Sequence, residues 1–415
     1  MKNWMRKLIT TIFVSLFTLT FFAQEKHTIS GTVYDNKGNE TLIGATIYFP
    51  DLSVGTTTNE YGFYSITISK GTHNISVSYL GFSDESKIIE LNNKTSFDFY
   101  LSERSQALDE VVIQTDIEKI NIKSTQMSVN KLTSKTIKQI PVVLGESDII
   151  KSIILLPGVT SAGEGASGFN VRGGAADQNL ILLDEAIVFN SSHLFGFFSV
   201  FNPDVIKDVK LFKGGIPSKY GGRLSSVLDI YQKEGNNKDF KLTGGIGLIS
   251  SRILAEGPLK KEKSSFLIGG RSSYAHLFLP LIDNDNKAYF YDLNTKVNFR
   301  LNKKNNIFLS AYFGKDVFGI NNSFINKYGN AVTNIRWNHL YSDKLFSNLS
   351  LIYSDYFYGL ILDFVGFEWD SGITNINFKY DFNHYLKDNL KLNYGINNIY
   401  TKFNAGEIFP NRDDS

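Results

Sequence analysis

The chain has 415 residues, with 43 lysines and arginines against 41 aspartates and glutamates, a formal net charge of +2. That length holds two or three domains, and the near balance, without a basic stripe or an acidic tail, argues against a nucleic-acid partner. Cysteine is absent, which removes disulfides, thiolate zinc sites and cysteine nucleophiles together.

Lys2, Arg6 and Lys7 precede an apolar run from Leu8 to Phe22 that ends at Ala23-Gln24. A positive flank, an apolar core of about 15 residues and a small residue at its end fit a secretory signal peptide over residues 1–23. A membrane-spanning helix would need about 20 apolar residues. No cysteine follows the signal, so a lipoprotein type is not expected, and no later window is apolar enough for a spanning helix.

Residues 24–102 carry strand-like runs at Thr28–Tyr34, Ala45–Phe49, Gly62–Ile68, His73–Tyr79 and Thr95–Tyr100, separated by polar turns such as Asn59-Glu60-Tyr61-Gly62. Short strands at regular spacing predict a β-sandwich. The residues Gly31-Thr32-Val33-Tyr34-Asp35, Ile43-Gly44-Ala45-Thr46-Ile47, Thr58 to Tyr64 and Tyr79-Leu80-Gly81-Phe82 resemble the carboxypeptidase regulatory-like domain. No peptidase chemistry follows, because His-Glu-x-x-His does not occur and His27 and His73 lack a ligand constellation. The module reads as structural.

A linker over residues 103–116 contains Leu108-Asp109-Glu110-Val111-Val112-Ile113-Gln114. Two acidic residues followed by three β-branched ones favour an extended backbone that can add to another protein's sheet edge; an ordinary linker or edge strand is the alternative. The segment is similar to the TonB box of TonB-dependent outer-membrane receptors, and Asp109, Glu110, Val111, Val112 and Ile113 are the residues the resemblance assigns to it.

Residues 117–235 read as a small α+β domain. A helix is predicted over Glu146–Leu155, with Ile149, Ile150, Ile153 and Ile154 on its apolar side and Pro157-Gly158 stopping it; a second is predicted from Asn202-Pro203-Asp204. Strands follow at Asp208–Phe212 and Ser226–Tyr231. Gly163-Glu164-Gly165-Ala166-Ser167-Gly168 matches G-x-G-x-x-G, but it does not leave a strand to open a helix, so a loop is favoured over a nucleotide site. The segment resembles the plug domain of TonB-dependent receptors through Leu156-Pro157-Gly158-Val159, Phe169 to Gly174, Asn179 to Asp184, Phe212 to Pro217 and Tyr220 to Ser225. The resemblance implies a plug inside a β-barrel. Arg172 and Arg223 then need partners, since unpaired buried charge is costly: either they latch onto wall carboxylates, Glu256 being nearest in sequence, or they cap local carbonyls. Between the strands, Phe189, His193, Phe195, Phe197 and Phe198 lie in a stretch with almost no charge. They either contribute to a ligand site at the barrel mouth or pack plug against wall; His193 alone is no metal site.

From residue 236 to 415 apolar and polar residues alternate. In Ile373–His384, Thr374, Ile376, Phe378, Tyr380 and Phe382 form one row and Asn375, Asn377, Lys379, Asp381 and Asn383 the other. Tight polar turns (Lys260–Lys263, Asn302–Asn305, Ser342–Lys344, Lys387–Asn389) alternate with long connections (Ala275–Tyr289, Gly314–Asn330, Gly359–Asp370). Apolar-out, polar-in pleating with that asymmetry is the pattern of outer-membrane barrels. Roughly nine strands are expected, the first part of an antiparallel transmembrane barrel that the resembled family closes with about 22, so the chain reads as the N-terminal part of a longer receptor.

The fold expected is therefore mainly β: a sandwich, a small α+β plug and the start of a barrel. The resemblance implies a Gram-negative outer-membrane receptor that imports a scarce extracellular ligand, a siderophore, glycan or similar. Its partners would be TonB with its inner-membrane energising complex, outer-membrane lipid and that small-molecule ligand, with no cofactor or metal of its own. The N-terminal extension is similar to that of Bacteroidetes-type receptors, many of which use a surface lipoprotein lid, although the central motifs do not clearly match the glycan-import subgroup. A signal-transducing receptor and a passive surface-binding protein are the alternatives. An enzyme is disfavoured, since no paired carboxylates, Ser-His-Asp cue or metal-ligand set is found.

Overall fold

The computed structural model describes residues 25–104, 127–140, 146–163, 168–274, 286–321, 323–387 and 390–410. The predicted signal peptide and the predicted TonB box lie outside the described residues.

The N-terminal unit is a sandwich of two sheets. One contains β1 (Lys26–Asp35), β4 (Phe63–Ser69), β7 (Thr95–Ser96) and β8 (Phe99–Leu101); the other runs in the order β3 (Val54–Thr57), β2 (Thr46–Phe49), β5 (Gly71–Ser78), β6 (Glu85–Leu91). The inward rows, including Ile29, Val33, Ile47, Phe49, Ile66, Ile75, Val77 and Phe99, form one buried core. Strands β3 and β6 were not expected. Both are edge strands, and β6 (ESKIIEL) is mostly exposed, so neither has a clear apolar face.

The central unit is built on a five-stranded sheet in the order β13 (Ala186–Ile187), β12 (Asn179–Leu183), β17 (Ser226–Gln232), β16 (Ile206–Phe212), β9 (Val129–Thr133). Only β12 and β17 run parallel; the other neighbours are antiparallel. Two short helices cover it. In α1 (Ser134–Gln139) Thr133 caps the N-terminus by accepting from the Thr136 amide, and in α2 (Ile149–Ile154) Asp148 does so from Lys151, each satisfying an amide the helix leaves open. The predicted second helix at Asn202 is a single turn. There the Asn202 side chain accepts from the Asp204 amide at 3.0 Å, and β16 begins at Ile206, so the sheet claims the residues a helix would need.

Strands β10 (Val159–Ser161) and β11 (Phe169–Val171) pair antiparallel around the glycine-rich loop. The motif's last glycine, Gly168, leads directly into strand β11 and not into a helix, which is the wrong context for a dinucleotide fingerprint. A last small hairpin joins β14 (Ser192–His193) to β15 (Phe198–Ser199).

The third unit is one sheet of nine consecutive antiparallel strands: β18 (Lys241–Ile246), β19 (Ser250–Lys260), β20 (Ser264–Ser273), β21 (Lys287–Asn302), β22 (Asn305–Ile320), β23 (Phe324–Ser342), β24 (Leu345–Leu362), β25 (Phe367–Lys387) and β26 (Leu390–Pro410). Two of the connections expected to be long, Gly314–Asn330 and Gly359–Asp370, are instead strand extensions: β22 pairs with β23 up to Ile320 and Phe324, and β24 with β25 up to Leu362 and Phe367. Strands of up to 21 residues reach roughly 65 Å at about 3.3 Å per residue, about twice the hydrocarbon thickness. The strands are therefore longer than a tilted membrane crossing of about 9–11 residues requires.

The wall is inside-out relative to a soluble sheet. Leu293, Leu309, Ile335, Leu351, Ile376 and Phe378 are exposed on the convex row, whereas Asn294, Lys296, Ser310, Asn334, Ser350 and Asn377 are buried on the other. The buried polar row faces the central unit, whose apolar core extends onto Tyr312, Val332 and Ile352 of the wall. At Gly269 a side chain would meet Val205 of the central unit, so the two backbones approach closely there. Among the described residues no helix is long and apolar enough to cross a membrane, which says nothing of strands.

Candidate functional site: the seat of the central domain in the wall

The central domain is held by ion pairs of one predominant polarity. It supplies carboxylates and the wall supplies cations: Glu146 meets Arg271 at 2.6 Å, Asp204 meets Arg252 at 2.6 Å, Asp184 meets Lys296 at 2.9 Å and Glu185 meets Lys379 at 3.7 Å. Apart from Arg252, which is 22 % exposed, these side chains are nearly inaccessible. Charge taken out of water is retained only where partners and hydrogen bonds compensate it, and here they do. Arg271 also reaches Asp292 and donates to the Ser199 carbonyl at 2.7 Å, and Lys296 donates to the Gln232 carbonyl at 2.9 Å.

The expected latch of Arg172 and Arg223 onto Glu256 does not form in the structure. Arg172 is exposed, with its guanidinium against Gly214 and donating to the Ser128 hydroxyl at 3.2 Å. Arg223 is also exposed and donates to the neighbouring Gly222 carbonyl at 2.8 Å. Glu256 lies in β19 opposite Lys241 and Leu267. The physical reason is the direction of charge: the lumen-facing wall offers lysine and arginine where the central domain offers aspartate and glutamate. The two arginines satisfy themselves locally, which was the alternative reading.

Asp184 and Glu185 form the tip of the β12–β13 hairpin, with φ of 46° and 73°. Two consecutive non-glycine residues in the left-handed region cost of order 1–3 kcal/mol each and persist only where the surroundings over-determine them. The surroundings do so. Glu185 accepts from Ser350 at 2.6 Å, Asn348 at 3.1 Å and Tyr61 at 2.7 Å, and the Asp184 carboxylate accepts from the Gln232 amide at 3.1 Å. Burial opposes the charge on Glu185, but Lys379, Arg336 and these hydroxyls outweigh it and bring its pKa down to about 2.

The aromatic stretch divides in two. His193 is buried between two wall carboxylates, 2.7 Å from Asp316 and 3.2 Å from Asp292, and its ring stacks on Phe290 with centroids 4.2 Å apart. Phe198 is buried against the same Phe290, and Phe189 lies beside Tyr356 at 6.5 Å. These three pack the central domain on the wall. Phe195 and Phe197 are more exposed, although the Phe195 ring also meets Phe318 of the wall edge-on at 5.1 Å, and with Phe198, Asp148, Lys151 and Ser161 they line a cavity of about 230 Å³. Leu194, Phe195 and Gly196 all have positive φ, and that tight turn is tied to the wall by the Leu194 amide donating to Asp316 at 2.8 Å and the Phe195 amide to the Tyr328 hydroxyl at 3.1 Å. Lys151 spans the cavity floor to the Phe197 carbonyl at 2.7 Å. Among the described residues no group of three or more acidic or histidine side chains could hold a metal.

The partners of His193 lie 99 and 123 residues away, and nothing in the local sequence points to them. What could have been found is the alternation: Asp292 and Asp316 occupy the buried, polar row of their strands, where an aspartate needs a partner.

Comparison with known proteins agrees with this geometry. Residues 29–113 match the CarboxypepD_reg-like domain and residues 121–226 match the TonB-dependent Receptor Plug Domain. No curated protein sequence matches the chain. Among solved structures, the hemophore receptor HasR of Serratia marcescens, a double mutant bound to its hemophore HasA and heme, aligns with a TM-score of 0.53 at 13% identity over 68% of this chain and 45% of that one. The siderophore receptor PirA of Acinetobacter baumannii aligns at 0.49 and 15% identity over 67% and 48%. The chain thus spans about half the length of the receptors it matches, and the likeness to HasR is one of fold.

Proposed function

We propose that the protein, which carries a TonB-dependent receptor plug domain at residues 121–226, is a Gram-negative outer-membrane receptor that imports a scarce extracellular ligand with energy delivered through TonB. The observation that carries the reading is the seating of that plug. A glycine-rich domain lies against the polar inner row of a sheet whose outer row is apolar, and buried ion pairs fix it there. A sheet with lipid-type residues outside and charges inside suits a barrel wall in a membrane and no soluble setting.

In this mechanism the ligand meets the plug at the end of the wall opposite the short turns, where Phe195, Phe197 and Lys151 border the cavity. That end carries the long extensions of the β22–β23 and β24–β25 hairpins, and the end with the turns at 302–305 and 342–345 is assigned to the periplasm. Asp109–Ile113, which follow the sandwich and precede β9, would pair as an added strand with TonB. Tension on that segment acts on β9, an edge strand of the plug sheet, which can be peeled without opening the sheet's centre. Siderophores and heme-carrying proteins are what the named relatives bind; the ligand class proposed here is a small molecule too scarce for passive diffusion.

The test is direct binding of a peptide spanning residues 105–116 to the purified periplasmic domain of TonB, with Val111→Pro as the control that removes a strand donor. Binding that the proline abolishes supports the proposal, and equal or absent binding by both peptides contradicts it.

A further inference from the structure

The turn Asn59–Phe63 of the N-terminal sandwich touches both the plug and the wall. It is rigid before it docks: the Asn59 side chain accepts from the amides of Tyr61 at 2.9 Å and Phe63 at 3.0 Å. Gly62 turns the chain at φ +77°, where a side chain would strike Thr41 and Leu42. From that base the Tyr61 hydroxyl donates to Glu185 at 2.7 Å, and Lys219 of the plug pairs with Glu60 at 2.7 Å. Asn59 donates to Asn383 of the wall at 2.9 Å.

The aromatic rings wedge against the wall as well. Tyr61 and Phe63 both stack on Phe346, at 5.2 and 5.5 Å, and Phe63 meets Tyr385 edge-on at 6.0 Å. The Arg336 guanidinium lies 5.0 Å above the Tyr61 ring. Phe346 and Tyr385 lie beside the short turns at residues 342–345 and 387–390, so the tip occupies the short-turn mouth of the wall. Glu185, which Tyr61 holds, is half of the left-handed hairpin tip that also binds Lys379, Ser350 and Asn348. Sandwich, plug and wall therefore meet at one buried carboxylate.

We propose that residues 59–63 form a latch, which holds the plug hairpin around Asp184-Glu185 in the short-turn mouth, so that the sandwich must leave before the plug can be displaced. The connectivity gives the latch a release. The segment between β8 and β9 contains Asp109–Ile113, and tension on it loads the docked sandwich and the plug's edge strand together. Burial opposes charge on Glu60, but Lys219 and Lys210 hold its carboxyl well below the usual range, so the pair is ionised at neutral pH. The docking itself does not depend on the import reading; only the direction of the pull rests on it.

The pair of exposed Lys94 and half-buried Asp343, at 3.1 Å between sandwich and wall, reports docking without touching the latch. In the full-length receptor in native outer membranes, Lys94→Cys with Asp343→Cys provides two thiols within 415 residues that hold no other, to be joined by a short bismaleimide. High cross-linking is expected in the parent, at least a fivefold loss in Glu60→Lys or Tyr61→Ala, and recovery when Glu60→Lys is combined with Lys219→Glu. Heat-modifiable migration on gels confirms in each case that the wall is folded. In energised cells the yield should fall, and a protonophore should restore it. A parent that does not cross-link, a yield indifferent to Glu60→Lys, or a yield indifferent to the protonophore overturns the latch. If the 105–116 peptide still binds TonB in that event, the import reading survives and the latch alone is lost.

Discussion

Glu146 of the plug and Arg271 of the wall meet at 2.6 Å with both side chains buried, and the same guanidinium reaches Asp292 in the neighbouring strand. One cation thus ties the segment before α2 to β20 and β21. Removing it leaves Glu146 with only the Ser250 hydroxyl and Asp292 dependent on His193, a broken buried pair that costs about 3–5 kcal/mol. Arg271→Met is expected to lower the unfolding free energy by that amount and to shift the denaturant midpoint down with it. Arg271→Lys should rescue little, because an ammonium cannot serve Glu146, Asp292 and the Ser199 carbonyl with one planar fork. Urea titration of the three proteins in detergent checks both statements.

His193 gives the seat a pH dependence. Burial opposes its charge, but Asp316 and Asp292 outweigh that and raise its pKa above the ordinary 6.5. A raised folded value means that its stabilisation is complete below about 6.5 and is lost as pH climbs through the folded value. Protection of the Leu194 amide relative to its intrinsic exchange rate should therefore fall at alkaline pH, since that amide donates to Asp316, and His193→Gln should flatten the profile. Hydrogen-exchange mass spectrometry from neutral to alkaline pH measures it.

Glu185 has the opposite sign. Its depressed pKa, about 2, contributes stability that is present above the ordinary carboxylate value and lost as pH falls toward about 2. The shift corresponds to about 3 kcal/mol. Glu185→Gln should remove most of it at pH 7, and the difference between variant and parent should shrink in acid. Thermal unfolding at neutral and acidic pH tests the prediction.

Phe197 and Phe198 are adjacent but should behave differently. Phe198 is 3% exposed and Phe197 is 59% exposed. Phe198→Ala should cost about 3–5 kcal/mol of stability, whereas Phe197→Ala should change stability by roughly 0.5 kcal/mol or less and, on the proposed import function, weaken capture of the extracellular ligand. Parallel unfolding and whole-cell binding measurements separate the two roles.

Some of this was legible in the sequence and some was not, for physical reasons. The wall announces itself through alternation in stretches such as Ile373–His384, because each side chain's environment follows from its parity along the strand. The glycine turns and the Asn179–Asp184 strand similarly mark the plug. Which charges meet across the lumen was not legible: Arg271 and Glu146 are 125 residues apart, and parity says only that a residue points inward. Arg172 and Arg223 stood out because they sit in conspicuous glycine motifs, while the cations that hold the plug are dispersed along the wall strands. The turn at Asn59–Gly62 was readable as a turn, but its fit beneath Glu185 depends on three units coming together.

The central claim is that the wall's outer row faces lipid while its inner row holds the plug. Single cysteines along β25 in native membranes test it most directly. Cysteines at Ile376 and Phe378 should react with a membrane-soluble maleimide and resist a water-soluble one, and cysteines at Asn375 and Asn377, buried on the inner row, should resist the membrane-soluble reagent. Equal labelling of both rows by the water-soluble reagent would contradict the account.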